Sequence, residues 1–188
     1  MPLRVSVYFV GMAALCFAAG PAWRIGMGLA FAALHEAGHL AAMAALRIRP
    51  SGICLTAAGM RIDRPPGLRV SFAREIAVAL AGPAVSLILA GAFFAFHRAF
   101  PSLLSLDPCF LNLGFGLFNL LPVCQLDGGR ALYFFLCRRA SETTAARAVT
   151  ATSLLCLFLA AGAASLLCLR SGFSLSLVIA VLYLAAGC

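Results

Sequence analysis

Lysine is missing altogether: the fourteen basic residues of this 188-residue chain are all Arg. Acids number six, and charged side chains make up 11% of the sequence, against about 25% in an ordinary soluble domain. That shortage, with 63% hydrophobic residues and a mean hydropathy of +1.03, excludes a water-soluble globule. A bilayer-spanning helix takes about 20 apolar residues, so about six would use most of the length and leave no room for a second soluble domain. There is no long block of like charge either. The formal charge of +8 comes from Arg residues scattered in short segments between apolar runs, where topology places them. It therefore reads as membrane orientation and not as a nucleic-acid surface. No C-x-x-C pair occurs among the eight Cys (16, 54, 109, 124, 137, 156, 168 and 188). Most lie inside apolar runs as small fillers, so neither a disulfide framework nor a thiolate metal site is expected.

What is present is a series of apolar runs. Residues 5–20, behind Arg4, read as an uncleaved first helix: Pro21 is an awkward neighbour for a signal-peptide cleavage site, and the uncharged stretch continues to Trp23, an interfacial anchor type. Further spans are expected at 25–46, 76–96, 148–169 and 173–188. Another segment starts at Cys109 and is interrupted by Asn119, Pro122 and Asp127-Gly128-Gly129. Irregular backbone at membrane depth survives only where protein or a water-filled cavity surrounds it, so this break points to a site. Between the second and third spans, SGICLTAAGMRID predicts a small β-hairpin with strands at 52–56 and 60–63. The fold expected is an all-α polytopic membrane protein, with about six transmembrane helices and this one hairpin. Eleven Arg (4, 47, 49, 61, 64, 69, 74, 130, 138, 139 and 147) fall on one side of that arrangement and three (24, 98 and 170) on the other, which puts both termini and the hairpin in the cytoplasm.

The second run holds His35-Glu36-Ala37-Gly38-His39. On a helix, His at i and i+4 stack on one face one turn apart, so both imidazoles can ligate one zinc. Glu36, beside the first of them, can take a proton from a water that the metal activates. A chain of this composition would contain the pattern by chance roughly once in a thousand cases, and ionisable groups within a span are costly and by default functional. A buried polar trio without metal would need a cation near Glu36, and no Arg lies at that depth. Catalytic zinc takes three protein ligands. Asp127 is the candidate third ligand on its place after the break, although Asp before Gly-Gly and a new helix would also serve as an N-cap. His97, at a span end beside Arg98, reads as an interfacial residue.

HEAGH (35–39) and NLLPVCQLDGG (119–129) resemble, in order and spacing, the H-E-x-x-H and N-x-x-P-x-x-x-L-D-G signatures of the site-2 protease family of intramembrane zinc metalloproteases. LAGPAVS (80–86) is similar to that family's Gly-Pro-containing helix. The likeness covers about residues 22–140. It implies a single membrane metalloprotease domain over 1–188, with its catalytic core in that stretch and extra helices at 5–20, 148–169 and 173–188. It also implies Zn2+ held by His35, His39 and Asp127, with Glu36 as the base and Asn119 positioning substrate or the broken helix. The helix arrangement and the minimal loop in place of a PDZ insertion resemble the stage IV sporulation protein FB branch, which places the chain in a bacterial cell membrane. The branch's C-terminal nucleotide-sensing CBS domain is not expected here, a departure that puts ATP regulation and a sporulation substrate in doubt.

The activity implied is hydrolysis of a peptide bond in or near a transmembrane segment of another protein, as in regulated intramembrane proteolysis. The partners are that substrate, membrane lipid and regulatory membrane subunits. Strand addition of an unwound substrate segment is expected at the hairpin's edge near Ile53 and Leu55. Two other classes compete. A midplane metal-ion transporter would not need Glu beside a ligand and usually shows internal repeats, which are not found here. A catalytically silent membrane-protein binder would lack one of the four chemical residues.

Overall fold

The computed structural model describes residues 3–5, 22–48, 52–56, 59–63, 70–101 and 103–171. The protein is predominantly helical, with five helices among those residues: α1 (Ala22–Ala45), α2 (Phe72–Ala99), α3 (Leu103–Asn119), α4 (Asp127–Cys137) and α5 (Glu142–Ser171). Three short strands accompany them: β1 (Leu3–Val5), β2 (Gly52–Thr56) and β3 (Gly59–Asp63). The chain divides into two compact units, Met1–Phe118 and Asn119–Cys188.

In the first unit α1 and α2 run antiparallel. Phe31 meets Phe93 edge to face with centroids 5.5 Å apart, His35 faces Ser86, His39 faces Val78, and Met43 packs with Val78 and Ile48. Lipid tails are as apolar as Leu, so association of membrane helices depends on close packing of small residues. Gly38 supplies one such point: a Cβ there would come within 2.8 Å of Val85 Cγ2 and 2.9 Å of the Ala81 carbonyl oxygen. At Gly116, on α3, a Cβ would meet Leu87 of α2 at 2.8 Å. Arg24 near the start of α1 pairs with Asp107 of α3 at 3.2 Å, half in solvent.

Among the described residues two helices, α2 and the Glu142–Gly162 part of α5, are long and apolar enough to cross a membrane. Six spans are not supported. Residues 6–20 and 173–188, where the first and last were expected, lie outside the described residues, and Val5 belongs to β1 instead of opening a helix. The second is α1, where Arg24 and the His35-Glu36-His39 trio interrupt the apolar run. The fourth is two short pieces, 17 residues in α3 and 11 in α4. The first piece begins at Leu103, earlier than Cys109, because its helix runs through Pro108; the side-chain amide of Asn112 donates to the Pro108 carbonyl at 2.8 Å.

The strands form a sheet of order β1-β2-β3. β2 and β3 are antiparallel, pairing Ile53 with Ile62 and Leu55 with Met60, while β1 lies parallel on the other side, opposite Ile53 and Leu55 through Leu3 and Val5. The backbone around Ile53 and Leu55 therefore lies in a central strand. The open edge expected there does not exist, and the outer strands are β1 and β3.

The second unit is built on α5. Ala145, Val149, Ser153 and Leu157 recur every four residues and are buried, whereas Leu154, Leu155 and Phe158 are exposed, the apolar outward face that lipid accepts. The irregular segment before α4 is tied to this helix. Ser153 Oγ accepts the Cys124 backbone N–H at 2.8 Å, Thr152 Oγ1 donates to the Pro122 carbonyl at 3.1 Å, and Val123 and Leu126 pack on Leu157.

Candidate metal centre

The imidazoles of His35 and His39 stand one turn apart on the α2-facing side of α1, both buried. Their Nε2 atoms converge to 3.3 Å with the rings 76° apart. Two nitrogens each about 2.0–2.1 Å from one tetrahedral zinc lie about 3.3–3.4 Å from each other, so the pair is already spaced as zinc ligands. The rings are held by their other nitrogens. His39 Nδ1 is 2.8 Å from the Val78 carbonyl oxygen. A carbonyl only accepts, so Nδ1 carries the hydrogen and Nε2 keeps its lone pair, the tautomer a metal requires. His35 Nδ1 is 3.0 Å from Ser86 Oγ.

Between Val78 and Ser86, at the same four-residue spacing on α2, stands Gly82. A Cβ there would press on His39 Nε2 and lie 2.7 Å from both His35 Nε2 and His39 Cε1. Any side chain would fill the point toward which both Nε2 atoms are directed; glycine leaves room for an ion. Pro83 follows directly and lacks an N–H, so the helical hydrogen-bond ladder is broken beside the site.

Glu36 adjoins His35 on α1 and is half-buried. Asp127 is buried and is the first residue of α4. The cap position belongs to Leu126, with no side-chain cap hydrogen bond, so the N-cap role considered for Asp127 is not the one it takes. Its place comes from the two glycines after it. A Cβ on Gly128 would collide with the Leu120 carbonyl, and one on Gly129 with the Val123 carbonyl, so the 120–124 backbone lies directly on the first turn of α4. Arg130 lies 4.0 Å from the Asp127 carboxylate. Asn119 is the last residue of α3 and is half-buried.

The two imidazoles of the first unit and the Asp127 carboxylate of the second are each buried and are donor types that catalytic zinc sites use, and the glycine at 82 keeps the space beside both Nε2 atoms free of a side chain. Val78, Gly82 and Ser86 escape sequence reading as site residues. The only signal is the small Gly82 and the hydroxyl-bearing Ser86 four residues apart within the Gly-Pro helix; Val78 carries none. Among the described residues Cys109, Cys124, Cys137 and Cys156 are free thiols.

Residues 108–160 match the model of Peptidase family M50. Among solved structures, the chain is similar to the site-2 protease from Methanocaldococcus jannaschii, at 20% identity and a TM-score of 0.67, over 97% of this chain and 87% of that one. No curated protein matches. At that identity the structural likeness establishes the fold alone, and the match over residues 108–160 supports a metalloprotease enzyme.

Proposed function

We propose that the chain is an intramembrane zinc metalloprotease that cuts a peptide bond in or near a transmembrane segment of a membrane-bound protein, as in regulated intramembrane proteolysis. The observation that carries this reading is the convergence of His35 and His39 Nε2 at 3.3 Å over a glycine that leaves their common focus open. In this reading His35 and His39 hold the ion with Asp127 as third ligand, an assignment supported by the donor types, by the burial of all three and by the family match that spans Asp127. Bound zinc would supply Lewis acidity, polarising the scissile carbonyl and lowering the pKa of a water. Glu36 accepts the proton of the attacking water and returns it to the leaving amine, so that the peptide C–N bond is replaced by an acid and an amine. Asn119, where α3 ends, positions the substrate backbone or the break itself.

Detergent-purified protein should cleave a membrane-protein substrate, lose activity to a zinc chelator and recover it on adding zinc back. Activity indifferent to chelation contradicts the reading.

The membrane is a bacterial cell membrane in this proposal, with both termini and residues 47–74 in the cytoplasm, supported by the division of Arg, eleven against three. A Ser51→Cys variant in a background free of other Cys should resist an impermeant thiol reagent added outside intact cells; labelling from outside inverts the orientation. Membership of the sporulation-type branch is narrower than either comparison and draws its support from the short connection between α1 and α2. Regulatory membrane subunits are proposed on family likeness alone.

A further inference from the structure

We propose that Ser86 is a positioning residue for His35, its hydroxyl setting the orientation in which that imidazole meets the metal. The inference rests on the zinc reading above. The two imidazoles are held unequally. His39 Nδ1 is bonded to the main-chain carbonyl of Val78, an acceptor any residue at that position would provide. His35 Nδ1 is bonded at 3.0 Å to a side chain, Ser86 Oγ, which only this residue type and its close analogues provide. Ser86 is completely buried and His35 nearly so, so water does not readily replace the hydroxyl. Loss of a hydrogen bond inside a low-dielectric region leaves the imidazole N–H with less compensation than it would find in water.

The geometry gives this bond a purpose beyond packing. Val78, Gly82 and Ser86 follow one another at four-residue intervals and present one stripe of α2 to the two His. The first holds one ring, the second leaves the space between the Nε2 atoms, and the third holds the other ring. An imidazole turns about its Cβ–Cγ bond, and only one range of that rotation aims His35 Nε2 at the point shared with His39. With a metal on His35 Nε2 the ring hydrogen sits on Nδ1, and Ser86 Oγ, able to accept it, fixes that rotation. Such partners of metal-ligating histidines typically change metal affinity by about 10–100-fold when removed.

The test is metal affinity, measured by competition with a chelator of known affinity on the full-length protein in detergent. Ser86→Ala removes the hydroxyl. Ser86→Cys keeps the side chain's shape but offers only a weak hydrogen-bonding sulfur, which separates the bond from the volume. Both variants should bind zinc about 10–100-fold more weakly than wild type, and their Co2+-loaded forms should show visible absorption bands displaced from those of the wild type. Wild-type affinity in Ser86→Ala, or recovery of wild-type affinity in Ser86→Cys, would overturn the inference, the second because it makes the contribution one of packing. Failure of the wild type itself to bind one metal per chain is a different result. It overturns the zinc reading and this inference with it.

Discussion

Glu36→Gln should keep the full zinc content of the wild type and lose proteolysis by about 10²–10⁴-fold, the range a positioned acid–base group supplies. The amide has the carboxylate's shape and cannot take a proton from water. It touches no ligand role in the proposal, so metal binding and chemistry separate cleanly in this one variant. The separation also divides the protease from the transporter: a carrier that moves ions through His and Asp at the midplane has no use for a base beside a ligand, and would keep its function in the variant. Zinc analysis of the purified protein and cleavage of a membrane substrate by the same preparation check both halves. Cleavage at the wild-type rate would remove Glu36 from the mechanism, and loss of zinc would make it a ligand.

Gly82→Ala should lose zinc almost entirely, to under about a tenth of the wild-type stoichiometry, although it changes no ligand. The added methyl would press on His39 Nε2 and stand 2.7 Å from His35 Nε2, where one carbon replaces the ion and the imidazoles must swing apart. Alanine is also the better helix former by roughly 0.5–1 kcal/mol, so α2 itself has no reason to unravel, and circular dichroism should show unchanged helix content. Gly91 is the control on the same helix. A Cβ there meets nothing within 4 Å, and Gly91→Ala should bind zinc as the wild type does. Full zinc content in Gly82→Ala would mean that the ion does not sit between the two Nε2 atoms.

The sequence made the histidine pair legible because helical periodicity alone brings His35 and His39 to one face, and nothing about their neighbours is needed to see it. It did not reveal what holds them. A main-chain carbonyl such as that of Val78 has no residue-type signature, and the use of Gly82 is the absence of a side chain, visible only once α2 is laid against α1. The tight turn before α4 was legible as a break at Asn119, Pro122 and Asp127-Gly128-Gly129. That the cap there is Leu126, leaving Asp127 inside the helix, depends on how the 120–124 backbone packs on the two glycines. The expected count of six spans finds support for only two among the described residues, for a related reason. Run length measures apolarity along the chain and does not see that α3 starts at Leu103 and passes through Pro108, or that three residues near the N-terminus pair as a strand. That pairing is non-local, about fifty positions away along the chain, and it closes the edge of β2 that the local pattern left open.

The measurement closest to the central claim is zinc-edge X-ray absorption on the purified, zinc-loaded wild type. Two imidazole nitrogens and carboxylate or water oxygens should appear at about 2.0–2.2 Å, with no sulfur shell. The chain has eight Cys, so the opposite result is chemically available. A scattering shell at about 2.3 Å from sulfur, persisting when His35 and His39 are both replaced by Ala, would show that zinc is held by cysteines elsewhere and would contradict the account.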